Sequence, residues 1–161
     1  MASLLLPASA AKDVTSPAQA LGVAVMVAGE PRDAARSGAE GVQVDAASED
    51  VAAARQSIGK DGFVGAYAGA SRHAAMEAAE AGADYIAFDQ KGPSLGGEPI
   101  IHWWADMMEI PCVAFTPVDV EDLDILLPQK PDFIRPSDAM WQGPDEARRI
   151  VSALTQRLGP R

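Results

Sequence analysis

The chain contains one cysteine and two histidines among its 161 residues. A single cysteine excludes an internal disulfide and any zinc site built from cysteines, and it is typical of a reducing compartment, so we expect a cytoplasmic protein. Basic residues are also few, because 13 Lys and Arg stand against 23 Asp and Glu, for a net charge of −10. A chain this acidic is not expected to bind nucleic acid.

Long apolar segments are missing as well. No run approaches the roughly 20 apolar residues of a membrane-spanning helix, so we expect no membrane association. The first residues, MASLLLPASAA, lack the basic start and long apolar centre of a signal peptide. Aromatic residues make up only 6%, so Ala, Val, Ile and Leu must fill the core. We expect one domain over residues 1–161, with an atypical segment at 1–20.

An internal repeat organises the chain. The segment SGAEGVQV at residues 37–44 reappears 44 positions later as AGADYIAF at 81–88, and a weaker third copy covers 129–134. Each copy resembles a helix end, a capping residue, an acidic residue and a short apolar run, which is how a helix leads into a buried parallel strand. Half of the repeat, about 22 residues, fits one βα unit.

Seven short apolar runs are predicted as strands. Alanine-rich helical segments separate them, including residues 49–57 and 71–81, and Pro144 predicts the start of the last helix. The alternation predicts an α/β fold with a parallel sheet, which an open doubly wound sheet and a closed barrel both satisfy, and the regular spacing favours the barrel. The predicted strands are 3–6, 22–27, 41–45, 62–67, 84–88, 111–115 and 132–135.

From Leu21 onward the order of segments resembles the thiamine phosphate synthase family, whose relatives include the thiazole tautomerases. The matching segments are, in order, GVAVMV at 22–27, GAEGV at 38–42, SRHAAMEAAEAGADYIAF at 71–88, and Trp103-Trp104 before IPCVA at 110–114. The resemblance implies a TIM-type (β/α) barrel, shortened at its N-terminus to about seven strands. About 15 residues separate Leu6 from Gly22, which leaves room for a short helix at best.

The resemblance also implies a checklist for the active site. Members of the family join a pyrimidine diphosphate to a thiazole phosphate, with Mg²⁺ on the diphosphate and backbone glycines around the second phosphate. The chain departs from the family pattern at every such position. These positions are Ala28-Gly29-Glu30 for Asn-Asp-Arg, Ser48 for a magnesium-binding Asp, Tyr67 for Ser, Pro93–Gly97 for Pro-Thr-x-Thr-Lys, Thr116-Pro117 for Gly-Gly and Ser137-Asp138 for Ser-Gly.

Most of these changes oppose phosphate binding. Glu30 reverses a charge, Pro117 has no N–H to donate, and Asp138 adds an anion. We therefore expect a family member that has lost the transferase activity and serves as a non-catalytic interaction or assembly module, with no catalytic residues, metal or cofactor. The alternative is an active family enzyme with an altered small-molecule substrate. Its ligand-binding residues would be Tyr67, Ser94, Thr116 and Ser137.

Other conspicuous residues favour structural roles. His73 and His102 lie in helical stretches away from the strand ends where barrels carry out their chemistry. Trp103 and Trp104 are expected to pack against the sheet, and Cys112 is expected to be a buried, inert thiol. The acidic residues between 119 and 124 are expected to be solvated.

An incomplete barrel predicts a partner. With the first strand of eight missing, two strand edges and some apolar surface would be left uncovered. We expect a second copy of the chain, or another protein, to cover this gap near Leu4–Pro7, and a homodimer is favoured because two-fold association is the commonest solution. The alternative is a monomer in which residues 8–20 fold across the gap.

Overall fold

Seven strands alternate with seven helices in the residues that the computed structural model describes, which are 3–89, 97–115, 117, 119–140 and 143–159. The strands are β1 Ser3–Pro7, β2 Ala24–Ala28, β3 Gly41–Asp45, β4 Phe63–Gly69, β5 Tyr85–Phe88, β6 Cys112–Ala114 and β7 Phe133–Ile134. The helices are α1 Ala8–Ala20, α2 Pro31–Ser37, α3 Ser48–Ile58, α4 Arg72–Glu80, α5 Ile100–Met107, α6 Leu123–Leu126 and α7 Pro144–Leu158. Two 3₁₀ turns cover Leu127–Gln129 and Asp138–Met140.

The predicted pattern of strands is confirmed, since each of the seven apolar runs overlaps one strand. The last helix begins at Pro144, as predicted. The second strand starts two residues later than predicted, because Gly22 adopts a left-handed φ of 73° and donates to the carbonyl of Gln19. That turn closes α1 before the chain can extend.

Helix α1 is longer than the sequence led us to expect. It has 13 residues, where we predicted a short helix at best. Strand β1 ends at Pro7 and the helix begins at Ala8, so no residues are used for a loop between them. Its buried Thr15 donates from Oγ1 to the carbonyl of Ala11, at 2.6 Å, which satisfies a hydroxyl inside the packed side of the helix.

The chain divides into two compact units, residues 1–86 and 87–161. In the first unit β1 to β4 pair in parallel and in chain order, with Leu5 opposite Met26, and Val27 opposite Val42. In the second unit β6 pairs in parallel with β7. This neighbour-to-neighbour order is what right-handed βα crossovers produce.

Each unit has its own apolar core. In the first, α3 packs on β3 and β4, and α4 packs on β4. Small helical residues such as Ala54 and Ala75 are fully buried there, as are the strand residues Val42 and Val64. In the second unit the aromatic residues do more of the packing. Trp104 is completely buried, meets Phe88 edge to face at 5.6 Å, and donates from Nε1 to the carbonyl of Ile110. The prediction that Trp104 packs in the protein interior is confirmed.

The acidic residue of the repeat clamps the preceding strand. Glu40, Asp84 and Asp132 each accept the backbone N–H of a residue at or next to the start of β2, β4 or β6, at 2.7 to 2.8 Å. Each acid also donates its own N–H to the carbonyl of that same residue. The clamped residues are Val25, Val64 and Cys112. A carboxylate therefore closes a ring of two hydrogen bonds at the start of every second strand.

The residue two positions before each acid adopts a left-handed conformation. Gly38 and Gly82 have φ angles of 70° and 102°, and Lys130 has a φ of 57° in the third copy. Lysine carries a Cβ that disfavours this region, whereas glycine adopts it freely. The third copy thus keeps the backbone path of the other two at some conformational cost.

None of the described helices is both long and apolar enough to cross a membrane.

Candidate functional site

The loop after β2 carries a charge pair. Gly29 donates its N–H to the carbonyl of Gln43 at 3.1 Å, which holds the loop against β3. The carboxylate of the next residue, Glu30, lies 2.8 Å from Nε of Arg32, and both side chains are more than 60% exposed. Arg32 in this loop is therefore balanced by an acid two residues away.

A polar pair of buried Gln43 and half-buried Tyr85 lies on one face of the first unit's sheet. The hydroxyl of Tyr85 on β5 donates to Oε1 of Gln43 on β3, at 2.9 Å. Gly65 lies opposite Gln43 on the strand between them, and a Cβ at this position would overlap the tyrosine ring. The absence of a side chain at Gly65 is what lets the ring reach across β4. We call the side bearing these residues the Gln43 face.

Burial keeps the tyrosine hydroxyl protonated. Desolvation raises the pKa of Tyr85, and the neighbouring negative charge of Asp84 raises it further. The group is therefore a neutral donor at physiological pH. A buried amide and phenol that bond to each other can orient a planar polar ligand, because each still has hydrogen-bonding capacity of its own.

Tyr67 lies on this same face. Side chains two apart on a strand point to the same side, which places Tyr67 with Gly65, and it is opposite Asp45 on β3. Its carbonyl accepts the N–H of Ala46 at 3.0 Å, and its side chain is half-buried. Of the four predicted ligand-binding residues, Tyr67 thus lies on the Gln43 face.

Ser137 belongs to the second unit and is engaged by its own turn. Its N–H donates to the carbonyl of Pro117 at 2.9 Å, and its Oγ accepts the N–H of Ala139 at 3.2 Å. The hydroxyl therefore caps the 3₁₀ turn that follows β7. The other two predicted residues, Ser94 and Thr116, lie outside the described residues.

An arginine at the end of β7 was missed by the sequence reasoning. The guanidinium of Arg135 lies 4.9 Å from the centre of the Phe115 ring, and its Nη2 donates to Oδ1 of Asp138 at 2.7 Å. A cation as the last residue of the predicted strand 132–135 was the available signal. Gln43 and Tyr85 were also missed, although a glutamine inside the apolar run VQV was visible in the sequence.

The described residues do not fit the magnesium site that the family resemblance implies. Among residues 3–89 and the later described segments, no three acidic, histidine or cysteine side chains come together in a way that could hold a metal ion. Glu30 is paired with Arg32, and Asp45 is exposed on its own strand end. We derive no reaction step through a metal here.

Comparison with known proteins identifies the relatives. A family model described as thiamine monophosphate synthase matches residues 7–134. The thiamine-phosphate synthase of Rhodospirillum centenum is 39% identical over 133 residues, covering 78% of this chain and 64% of the relative. That of Erythrobacter litoralis is 34% identical over 137 residues, covering 78% and 62%. The chain thus spans less than two thirds of the length of these two relatives.

A solved structure establishes the fold. Thiamine phosphate pyrophosphorylase from Pyrococcus furiosus matches with a TM-score of 0.74 and 22% identity, over 91% of this chain and 73% of that one. At this identity the likeness concerns the fold alone. The predicted TIM-type α/β fold is confirmed.

Proposed function

This chain belongs to the thiamine monophosphate synthase family, and from that premise we propose that it has kept the family's fold and lost the transfer of a pyrimidine diphosphate to a thiazole phosphate. In this proposal it serves as a non-catalytic interaction or assembly module in the cytoplasm, organised as a single domain. The relatives' names describe their own activity, and the chain spans 64% and 62% of the first two.

The ion pair of Glu30 with Arg32 carries this proposal. The family pattern has an arginine where Glu30 stands, and the nearest cation in the loop, Arg32, is balanced by that glutamate at 2.8 Å. An incoming diphosphate would meet a carboxylate. At 4 Å and an effective dielectric of 20, two like charges repel by about 4 kcal/mol, and solvent screening lowers this at an exposed site. A third of that value, about 1.4 kcal/mol, would weaken binding about tenfold.

A second candidate function rests on the Gln43 face. The polar pair of Gln43 and Tyr85, with Tyr67 on the same side, is unusual in the interior of a sheet, where apolar side chains normally pack. This pair supports an active family enzyme that acts on a non-phosphorylated ligand. A planar ring with hydrogen-bonding edges suits these groups.

The partner in this proposal is a second copy of the chain along β1. Among residues 3–86, β1 pairs only with β2, and Leu4, Leu5 and Leu6 are only half-buried, whereas Val25 and Val27 on the neighbouring strand are fully buried. Uncovered strand edges with apolar side chains favour strand pairing with another chain.

A direct assay tests the loss of activity. The purified chain is incubated with Mg²⁺, the pyrimidine diphosphate and the thiazole phosphate, with the Rhodospirillum centenum relative as the positive control. We expect no thiamine phosphate above the protein-free blank. Turnover at a rate comparable to the relative's would overturn the proposal.

A binding screen separates the two candidates. Thermal shifts are measured with the non-phosphorylated pyrimidine and thiazole alcohols, for the wild type and for Gln43→Leu. A ligand at 100 times its Kd stabilises by about 2.7 kcal/mol, which is readily detected. Stabilisation of the wild type that is lost in the variant supports the altered enzyme, and the absence of any shift supports the non-catalytic module.

A further inference from the structure

The cation at the end of β7 has an anion supplied by its own loop. Arg135 follows β7 directly, and its side chain is only 27% exposed because its guanidinium stacks on the Phe115 ring. Asp138, which accepts from Nη2 of Arg135 at 2.7 Å, is 84% exposed. The arginine is thus held from the inside, and the carboxylate contacts it from the solvent side, where an external anion would approach.

Backbone hydrogen bonds fix both ends of this pair. Arg135 donates its N–H to the carbonyl of Ala114 at 2.8 Å, and Ser137 donates to that of Pro117 at 2.9 Å. The Ser137 hydroxyl then accepts from Ala139 and orders the turn that begins at Asp138. The carboxylate is therefore presented to the guanidinium by an ordered loop, which lowers the entropy cost of the contact.

We propose that Asp138 is a specificity-determining residue, an internal counter-ion that keeps phosphate-bearing ligands off Arg135. Because Asp138 balances the charge of Arg135, the surface at the ends of β6 and β7 selects for uncharged ligands. This goes beyond the proposed function, because it concerns anion binding alone and applies equally to a catalytic and to a non-catalytic chain. Failure of the transferase assay and failure of this proposal are therefore separate results.

The chain offers a matched control pair on α7. Arg148 donates from Nη1 to Oδ1 of Asp145, also at 2.7 Å and three residues apart, but these side chains are 78% and 99% exposed. A fully solvated arginine gains little affinity for an external anion when its partner is removed, because water screens its charge. A stacked and partly desolvated arginine attracts an anion more strongly once the partner is removed.

The test is calorimetric titration with inorganic phosphate at low ionic strength. We expect Asp138→Asn to bind phosphate about tenfold more tightly than the wild type, in line with the loss of one partly screened charge. The gain should disappear in the double variant Asp138→Asn/Arg135→Gln. Asp145→Asn should bind like the wild type.

Two results would overturn the proposal. One is that Asp138→Asn binds phosphate no more tightly than the wild type while its circular dichroism shows an intact fold. The other is an equal gain in Asp145→Asn, which would mean that only net charge matters. If Asp138→Asn does not fold, Asp138→Ser removes the same charge with a residue that turns accept readily, and the same outcomes apply.

Discussion

Asp84 and Val64 hold each other through two hydrogen bonds of opposite direction. The N–H of Asp84 donates to the Val64 carbonyl, and the N–H of Val64 donates to the Asp84 carboxylate, both at 2.7 Å. The same carboxylate pairs with Arg55, whose guanidinium also donates to the carbonyls of Gly59, Gly62 and Gly82. The start of β4 and the two turns beside it are therefore fixed by one acid and one arginine.

Removing this carboxylate should destabilise the chain. We expect Asp84→Ala to lower the free energy of unfolding by about 2 to 3 kcal/mol, because it leaves the Val64 N–H without its acceptor and Arg55 without its carboxylate partner. Asp84→Asn keeps an acceptor oxygen and loses only the charge, so about 1 kcal/mol is expected. Urea denaturation measures both. Asp61→Ala, at an exposed acid before β4, is the control and should stay within about 0.5 kcal/mol.

The repeat revealed the position of these acids but not their role. The pattern of helix end, capping residue, acid and strand was readable at residues 37–44 and 81–88 because it is local in sequence. The clamp joins Asp84 to Val64, 20 residues earlier, and Glu40 to Val25, 15 residues earlier. Such a contact depends on how neighbouring strands are aligned, which periodicity does not specify.

Glycine in place of Lys130 should stabilise the chain. Lys130 has a φ of 57° where the other copies of the repeat have glycine, and the strain of a side chain in this conformation is about 1 kcal/mol. We expect Lys130→Gly to raise the free energy of unfolding by about 0.5 to 1 kcal/mol in urea denaturation. Gly38→Ala should lower it by about 1 kcal/mol for the same reason.

The exposed ion pair of Lys130 with Asp106, at 3.2 Å, is lost in that variant and needs its own control. Asp106→Asn removes this pair without changing residue 130, together with the contact of Asp106 with Nε2 of His102 at 3.5 Å, and should cost less than about 1 kcal/mol. If Lys130→Gly is less stable than Asp106→Asn, the left-handed conformation is not the source of strain.

Burial of Cys112 predicts a loss of stability in alkaline solution. Desolvation raises the pKa of this thiol from 9.0 to about 11. Between these two values the folded state keeps a proton that the unfolded state releases. The stability that this buried thiol contributes is therefore fully present below pH 9 and is lost as the pH rises to 11. Two pKa units correspond to about 2 to 3 kcal/mol. In urea denaturation, the free energy of unfolding of Cys112→Ala should fall less between pH 9 and 10 than that of the wild type.

Tyr85 predicts a second loss of stability at higher pH. Its pKa is also raised, so its contribution begins to fall only above pH 10, the ordinary value for tyrosine. In Tyr85→Phe the free energy of unfolding should fall less steeply above pH 10, and its pH dependence between pH 9 and 10 should stay as in the wild type. Identical pH dependence in the wild type and in both variants would contradict the assignment of the two steps.

The position of a residue in the sheet was predictable where a strand end follows directly from the apolar pattern. Tyr67 is the last residue of the predicted strand 62–67, and the sheet register places it on the Gln43 face, while its role as a ligand-binding residue stays a prediction. Gln43 and Tyr85 were missed because they are 42 residues apart, and the glycine that lets them meet gives no signal on its own. Arg135 was missed because the comparison followed only the motif positions of the family, and Arg135 is not one of them. Its stacking on Phe115 depends on two different strands lying side by side.

Self-association through β1 is tested by light scattering. We expect a mass of twice 16.8 kDa at tens of micromolar protein. Ser3→Lys adds a charge at an exposed position of β1 and should shift the mass toward the monomer, because lysine on an edge strand opposes pairing. The same change at exposed Ser57 on α3 should have no effect. A wild-type monomer at all concentrations would exclude the homodimer.

The crossing of Tyr85 over Gly65 should behave as a tightly coupled pair. Gly65→Ala places a methyl group against the tyrosine ring and should cost about 2 to 3 kcal/mol, since the interior has no room to relax. Tyr85→Ala removes the ring, so adding Gly65→Ala to it should cost much less. The resulting coupling energy, at least about 1 kcal/mol, is obtained from urea denaturation of the four proteins of the double-mutant cycle. Gly143→Ala, where a Cβ meets open space, is the control for the substitution itself. Additive effects of the two changes would mean that the ring moves aside freely, and the Gln43 face would then lack the fixed geometry on which the second candidate function depends.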